Sequence, residues 1–451
     1  MKLDFPKSWA HYAGVTVGLA SAMRSYRFSV QDLRKLQDEK LRRLVRHVNL
    51  FVPYYKSAFK RSGLVPEDIK GVADLKKLPF LTKEDIRRDV NGDLRSRGAL
   101  PEFAKVTSGT TGASVGIAYS REFITVRDCL YLRRLMNFGL KPWDKVVTVW
   151  DPPRGWRTRI DKDGSVRSTT QLAEVPFATF LGRPIPQVKV LRSIPSDVEM
   201  EAARLAALNP SFIFCRPSHL RRIGVAMRSG GQEIAAKGLI CTNEILTDSC
   251  AKELEVGFKA KTLRMYGSTE AGSIGADCRF KTGIHLNEDY TIFEVIRDGE
   301  QVAPGESGEL VVTQLHNPSM PLIRYPVGDL VELAEEGTCP CGSNLRRLRS
   351  VHGKAVDCLL GYDGARVSPL QVADAIESGF GLRDFQIIQT EPTRFRLRVS
   401  PGSALPKDAL EGIVEYLASV VGAHVYLTVE ARPEGELWSK ARPLVILTNH
   451  A

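Results

Sequence analysis

The sequence predicts an α/β protein built on a mainly parallel sheet, followed by a β-rich stretch and a small α+β unit at the C-terminus. Three observations carry this. Short β-branched or apolar runs at 146–150, 187–191, 211–215, 237–241 and 262–266 alternate with helical stretches such as 197–208 and 217–229, the pattern of a parallel sheet with crossover helices. After residue 284 the texture changes to strand-like segments (290–296, 308–314, 330–333) punctuated by Gly and Pro. Beyond residue 354 a helix at 369–378, strands at 384–390 and 394–399, a helix at 407–420 and a strand at 424–430 describe a compact second unit. The predicted domains are therefore 1–353 and 354–451.

Taken in order, residues 29–62 read as helical, because Leu33, Leu36, Leu41, Leu44, Val45 and Val48 recur at helix spacing until Pro53 interrupts. Thr82 with Asp85 three residues later is an N-cap signal for a helix over 83–89. Residues 105–116 are a Thr/Ser/Gly loop between strands, 121–138 a helix, and 151–171 a long polar loop or hairpin.

The 451 residues are 43% hydrophobic and 25% charged, as in an ordinary soluble globular protein, and exclude a collagen-like, coiled-coil or disordered chain. No apolar run approaches the roughly 18–20 residues that cross a bilayer, and no secretory pattern is evident, so a cytoplasmic location is expected. The net charge of +11 fits a solvated basic surface or a polyanionic small molecule such as a nucleotide. No motif supports nucleic-acid binding. Eight cysteines are too few for a disulfide scaffold. Cys129, Cys215, Cys241, Cys250 and Cys358 read as isolated buried thiols.

The segment Val106-Thr-Ser-Gly-Thr-Thr-Gly112 sets hydroxyls, glycines and free backbone N–H groups where phosphate oxygens could be wrapped. It is not a Walker A loop, since no Gly-Lys-Ser/Thr follows. Tyr266-Gly-Ser-Thr-Glu270 follows a predicted strand and ends in a carboxylate, and Arg324-Tyr-Pro-Val-Gly-Asp329 ends a turn in another. In order and spacing these three segments resemble the signature motifs of adenylate-forming enzymes. Val52-Pro-Tyr-Tyr55, Leu78-Pro-Phe-Leu-Thr-Lys-Glu-Asp85 and Cys339-Pro-Cys-Gly342 narrow the resemblance to the phenylacetate–coenzyme A ligase family, with its capsular-polysaccharide relatives, from about residue 40 onward.

The resemblance implies a large adenylation domain with a C-terminal lid. It implies a reaction in two halves: a carboxylate attacks the α-phosphate of ATP to give an acyl adenylate, and a thiol, commonly that of coenzyme A, displaces AMP. Thr107, Ser108, Gly109, Thr110, Thr111 and Gly112 would wrap the outer phosphates. Glu270 would ligate Mg²⁺. Tyr266 and Gly267, with Ser268 and Thr269 beside them, would flank the adenine, together with Glu244. Asp329 would accept from both ribose hydroxyls, and Arg347 would lie near ribose and phosphate. Lys440, in Leu437-Trp-Ser-Lys440-Ala-Arg442, would bridge the acid and the α-phosphate. The hinge, Gly353-Lys-Ala-Val-Asp357, departs from the family pattern by carrying Lys354 for arginine and Val356 for a polar residue.

Cys278, His285, Cys339 and Cys341 offer the donor set of a tetrahedral structural zinc; the alternative is reduced cysteines with a hydrogen-bonded histidine. Arg154, Arg157 and Arg216 would favour an acid bearing a second anionic or polar group, against the alternative that they coat a solvated loop. Expected partners are the carboxylic acid, ATP and coenzyme A, with a homodimer as a further expectation. Two other readings stay open: adenylation with an amine or hydroxyl acceptor, or a non-catalytic protein on the same fold.

Overall fold

A computed structural model describes residues 9–98, 103–106, 115–141, 143–150, 173–176, 179–180, 183–184, 187–192, 198–400, 407–431 and 444–446. The chain opens with helices α1 (Trp9–Ser25), α2 (Val30–Phe51) and α3 (Pro53–Arg61), and continues to the short α4 (Lys83–Arg88). Helix α2 starts where the Ser29 hydroxyl accepts from the Asp32 N–H, and buries Leu33, Leu41, Leu44, Val45 and Val48 along one stripe. Pro53 becomes the first residue of α3, where its missing N–H costs nothing. The expected cap of α4 is present in both directions: Thr82 Oγ1 accepts from Asp85 N at 3.1 Å, and Asp85 Oδ2 accepts from Thr82 N at 2.7 Å.

Helices α5 (Arg121–Asn137), α6 (Val198–Leu208), α7 (Pro217–Ser229) and α8 (Asp248–Phe258) belong to the α/β half. Here the strands Gln187–Arg192, Lys145–Trp150, Phe212–Cys215, Gly238–Cys241 and Lys261–Ser268 run parallel in that order. Helices α6 to α8 cover them through a core containing Leu205, Leu220, Ile223 and Leu254. The expected strands and crossover helices are therefore borne out. The long polar segment 151–171, with Arg154 and Arg157, lies outside the described residues.

The β-rich stretch is not a separate layer. Its strands extend the same sheet to thirteen, through Gly272–Ala276, Ile284–Leu286, Arg347–Lys354, Tyr325–Leu333, Ser307–Gln314 and Thr291–Arg297. The Lys261–Ser268 strand is the seam: it is parallel to Gly238–Cys241 on one edge and antiparallel to Gly272–Ala276 on the other. Such a change of strand direction opens a crevice at the strand's carboxyl end, where ligands bind in α/β sheets. That end carries Tyr266 to Glu270.

Beyond the turn Ala355–Asp357, helices α9 (Pro369–Phe380) and α10 (Lys407–Val421) pack on a four-stranded sheet with its own core around Ile376, Ile387, Leu397 and Leu417. Helix α9 docks on the larger unit: Glu377 meets Arg221 at 3.0 Å and accepts from the Thr247 hydroxyl.

A ring array braces the interior behind the seam. His316 stacks on Phe123 (centroids 5.2 Å apart, 3° between planes), and Phe123 on Tyr119. His316 Nδ1 donates to the Tyr290 carbonyl at 2.9 Å, and burial pushes its pKa down from 6.5 to about 4. The unfolded chain therefore binds a proton between about pH 6.5 and 4 that the folded chain refuses. Stability contributed by the neutral ring is present above 6.5 and is lost as pH falls through this window, by up to about 3 kcal/mol. His316→Phe is expected to flatten the acid side of a denaturant-midpoint against pH profile by one proton's worth of slope.

Candidate active site

Glu270 sits on the turn between the two seam strands. A bulge between Tyr266 and Gly267 brings the backbones so close that a Cβ on Gly267 would lie 2.5 Å from the Gly272 carbonyl oxygen. Glycine is thus required there. The turn is held by its backbone: Ser268 Oγ accepts from Ala271 N at 2.9 Å, Gln314 Nε2 donates to the Glu270 carbonyl at 2.8 Å, and the Tyr119 hydroxyl donates to the Thr269 carbonyl. The Glu270 carboxylate is left for other work. Lys83, the first residue of α4, brings Nζ to 3.9 Å from Glu270 Oε1. Burial and then the Glu270 charge raise the Tyr325 phenol well above its ordinary value, so the hydroxyl facing Glu270 stays protonated.

Asp329 follows Gly328, which adopts φ +80°, on the Tyr325–Leu333 strand. Asp329 is four positions after Tyr325, and both are buried in the alternating pattern of that strand. Both Asp329 oxygens are engaged: the Tyr266 hydroxyl donates to Oδ2 at 2.7 Å, and Lys354 Nζ lies 2.9 Å from Oδ1. Lys354 Nζ also donates to the Val327 carbonyl at 3.1 Å. Register explains the pairing, since Asp329 and Lys354 are directly opposite in adjacent strands.

Residues 107–112 lie outside the described residues, but the hairpin that carries them is defined. Phe103–Val106 pairs with Gly116–Tyr119, Val106 opposite Gly116, and Tyr119 is the residue bonded to the Thr269 carbonyl. The base of the hydroxyl-rich segment is therefore three strand residues, about 10 Å, from Tyr119, whose hydroxyl reaches the Glu270 turn. Lys440 also lies outside the described residues. The strand that follows it, Leu444–Ile446, pairs with Phe385–Glu391 and lies beside the hinge turn Ala355–Asp357.

Two expectations need correction. Arg347 is not brought to Asp329. It lies opposite His285, seven residues from Lys354 along the strand, and its guanidinium donates to the carbonyls of Thr282, Glu335 and Gly337. Its neighbours do not substitute for it: Arg346 holds Glu288 and Arg349 holds Glu332. Arg216 does not coat a solvated loop. It is buried, with Nη1 3.6 Å from Glu244 Oε1, while Glu244 Oε2 accepts from Ser218 N at 3.1 Å. Glu244 thereby serves the N-terminus of α7, where a carboxylate meets the positive end of the helix dipole. Among the described residues, Lys83 faces Glu270 and Lys354 faces Asp329. Lys83 stood unremarked in the Thr82–Asp85 segment; the cap that fixes the start of α4 also aims this residue at Glu270.

Cys278, His285, Cys339 and Cys341 converge, with one donor atom from each lying within 4.8 Å of every other. Cys278 and Cys339 sulfurs are 3.6 Å apart, and Cys341 Sγ is 3.7 Å from His285 Nε2. A tetrahedron with Zn–S bonds of about 2.3 Å has edges of about 3.8 Å, so these spacings fit that ion. The Cys341 thiol is lowered to about 7, chiefly by its hydrogen bond with Cys278, which favours the thiolate that a metal needs. Tyr26 closes the site, its hydroxyl 3.5 Å from Cys341 Sγ. Metal analysis is expected to find one zinc per chain. Cys278→Ser/Cys339→Ser should release it and lower the thermal midpoint by about 5 °C or more; full zinc retention in that variant would contradict the assignment.

The fold is shared with a solved acyl-CoA ligase. A 2-hydroxyisobutyryl-CoA ligase, solved in the postadenylation state with its acyl-AMP, superimposes with a TM-score of 0.75 at 18% identity, over 95% of this chain and 92% of that one. In sequence the chain is similar to proteins named phenylacetate–coenzyme A ligase. The enzyme of that name from Thermus thermophilus is 28% identical over 354 residues, 76% of this chain and 74% of the relative. Protein CapK from Staphylococcus aureus is 22% identical over 351 residues, 76% of this chain and 73% of the relative. No protein-family model matches the chain.

Proposed function

We propose that this chain is an ATP-dependent acid–thiol ligase, which activates a small carboxylic acid as its acyl adenylate and passes the acyl group to coenzyme A. The observation that carries this is the placement of Glu270 and Asp329 at the seam of the sheet, each facing a lysine, beside the hairpin that bears the hydroxyl-rich segment. In the first half-reaction the acid's oxygen bonds to the α-phosphorus of ATP while the bond to the bridging oxygen breaks, releasing pyrophosphate. Negative charge moves toward the outer phosphates, so fixed donors and cations there lower the barrier. Residues 107–112 supply backbone N–H and hydroxyl donors for those phosphates, and Lys83 supplies positive charge at the same end. Glu270, a hard oxygen ligand, would hold Mg²⁺, which neutralises the departing pyrophosphate when bound.

Asp329 holds the ribose diol, and Tyr266 keeps its carboxylate oriented through the 2.7 Å hydrogen bond. Tyr266 and Gly267 form the wall beside the adenine with Ser268 and Thr269; Glu244 stands behind it. Lys440 bridges the acid and the α-phosphate. Cys278, His285, Cys339 and Cys341 hold a structural zinc and, with all four positions taken by protein, leave it no open position for chemistry. The 354–451 unit acts as the lid, the location is cytoplasmic, and the chain works as a homodimer.

The test is product analysis by mass spectrometry with ATP, Mg²⁺ and an acid panel, with and without coenzyme A. A coenzyme A thioester that appears only with all components supports the reading. Lys440→Ala should slow adenylate formation by about a hundredfold, and an unchanged rate would remove that residue from the mechanism. A second reading keeps the adenylation and gives the acyl group to an amine or hydroxyl. The hinge favours it, because Lys354 is tied to Asp329 and to the Val327 carbonyl at the point where the lid would turn. An amide or ester formed without coenzyme A would select that version.

A further inference from the structure

The net charge is not spread over the chain. Residues 1–98 contain 21 Lys/Arg against 11 Asp/Glu, whereas the other 353 residues contain 42 against 41. Nearly the whole excess of +11 therefore belongs to the N-terminal helical unit.

Within that unit the charge is directed outward. Helix α2 is 22 residues long, about 33 Å. Its buried stripe faces the core, and Lys35, Arg42, Arg46 and Leu50 follow one another at spacings of seven, four and four on the opposite, exposed side. The acid on that side, Glu39, is paired with Arg43. Segment 89–98 is pinned along the end of α2 and the start of α3, with Arg97 N donating to the Phe51 carbonyl at 2.7 Å and Tyr54 N to the Asp93 carbonyl at 3.1 Å. Arg97 is thereby held at Phe51, the neighbour of Leu50, and Val90 and Arg95 lie on the same segment. Leu50 is 70% exposed and Val90 90% exposed, so the helix face and the segment each present an aliphatic group together with cations.

We propose that this outer face of α2, with segment 89–98, is a docking surface for an anionic lipid bilayer. Two properties select that occupant. The remainder of the chain is electrically balanced, so a second copy offers no excess of acid to meet the patch. An anionic bilayer uses both features present: cations at the headgroup level and aliphatic side chains dipping below it. No described helix is long and apolar enough to cross a membrane, so the protein lies on the surface.

The experiment is co-sedimentation of the full chain with phosphatidylcholine vesicles, with and without phosphatidylglycerol. The expected result is partition onto the anionic vesicles alone, weakened more than tenfold by high salt. The triple variant Lys35→Gln/Arg42→Gln/Arg46→Gln should lower partition about a hundredfold, with the thermal midpoint unchanged. Leu50→Ser/Val90→Ser should lower it several-fold at constant charge. Equal binding to both vesicle types, or wild-type binding by the triple variant, would overturn the proposal. So would salt-sensitive retention on a polyglutamate matrix without vesicle binding, which would assign the face to an acidic protein.

Discussion

Glu270→Gln is expected to cut acid-dependent exchange of pyrophosphate into ATP by at least about a hundredfold while leaving the thermal midpoint unchanged. The two halves of this expectation have separate causes. The turn that carries Glu270 is fixed by main-chain bonds, from Gln314 to its carbonyl and from Tyr119 to that of Thr269, and neither uses the carboxylate. The side chain makes no contribution to the fold that an isosteric amide would remove. What the amide lacks is the full charge that a magnesium ion needs and that balances Lys83 across 3.9 Å. Gln314→Ala should act differently. It leaves the charge in place and loosens the turn, so its effect should be smaller and should rise with temperature.

The largest loss of stability is expected at Arg133 and Asp289. Both side chains are essentially inaccessible, at 1% and 0% exposure. The guanidinium donates to Asp289 through both terminal nitrogens, at 2.6 and 3.1 Å, and also to Asn287 Oδ1 and to the Ala22 carbonyl. The Ser25 hydroxyl donates to Asp289 as well. One ion pair thus joins α1, α5 and the 287–290 turn. Asp289→Ala would leave a buried, uncompensated guanidinium, at a cost of about 3–5 kcal/mol. The double variant Arg133→Met/Asp289→Leu removes both charges and should recover most of that loss. Denaturant midpoints for the two single variants and the double variant measure the difference; a double variant no more stable than Asp289→Ala would show that the charges themselves are not the issue.

The Arg133–Asp289 pair could not be read from the sequence. Its partners are 156 residues apart, and nothing local distinguishes Arg133 from the other arginines of its helix. By contrast, the features carried by local chemistry were legible. Pro53 divided α2 from α3, Thr82 and Asp85 fixed the start of α4, and 217–229 read as a helical stretch between strands. Strand identity was legible for the same reason, but strand order was not, because it depends on pairing across long separations. That is why the β-rich stretch was legible as such, while its place as the continuation of the parallel sheet was not. The difference at Arg347 has the same origin: the resemblance suggested an arginine near the ribose site, and strand register puts Lys354, not Arg347, beside Asp329. The cysteine and histidine set was legible from donor type alone, and the fold brings its four members together from two separate turns and a strand.

The central claim is that the acids at 270 and 329 and the hydroxyl-rich segment grip one nucleotide for attack by an organic acid. Exchange of labelled pyrophosphate into ATP, run across a panel of carboxylic acids in the presence of magnesium and without coenzyme A, addresses this most directly. The account predicts exchange that depends on at least one acid and collapses in Glu270→Gln. Exchange that is independent of any acid, or that survives unchanged in that variant, would contradict it.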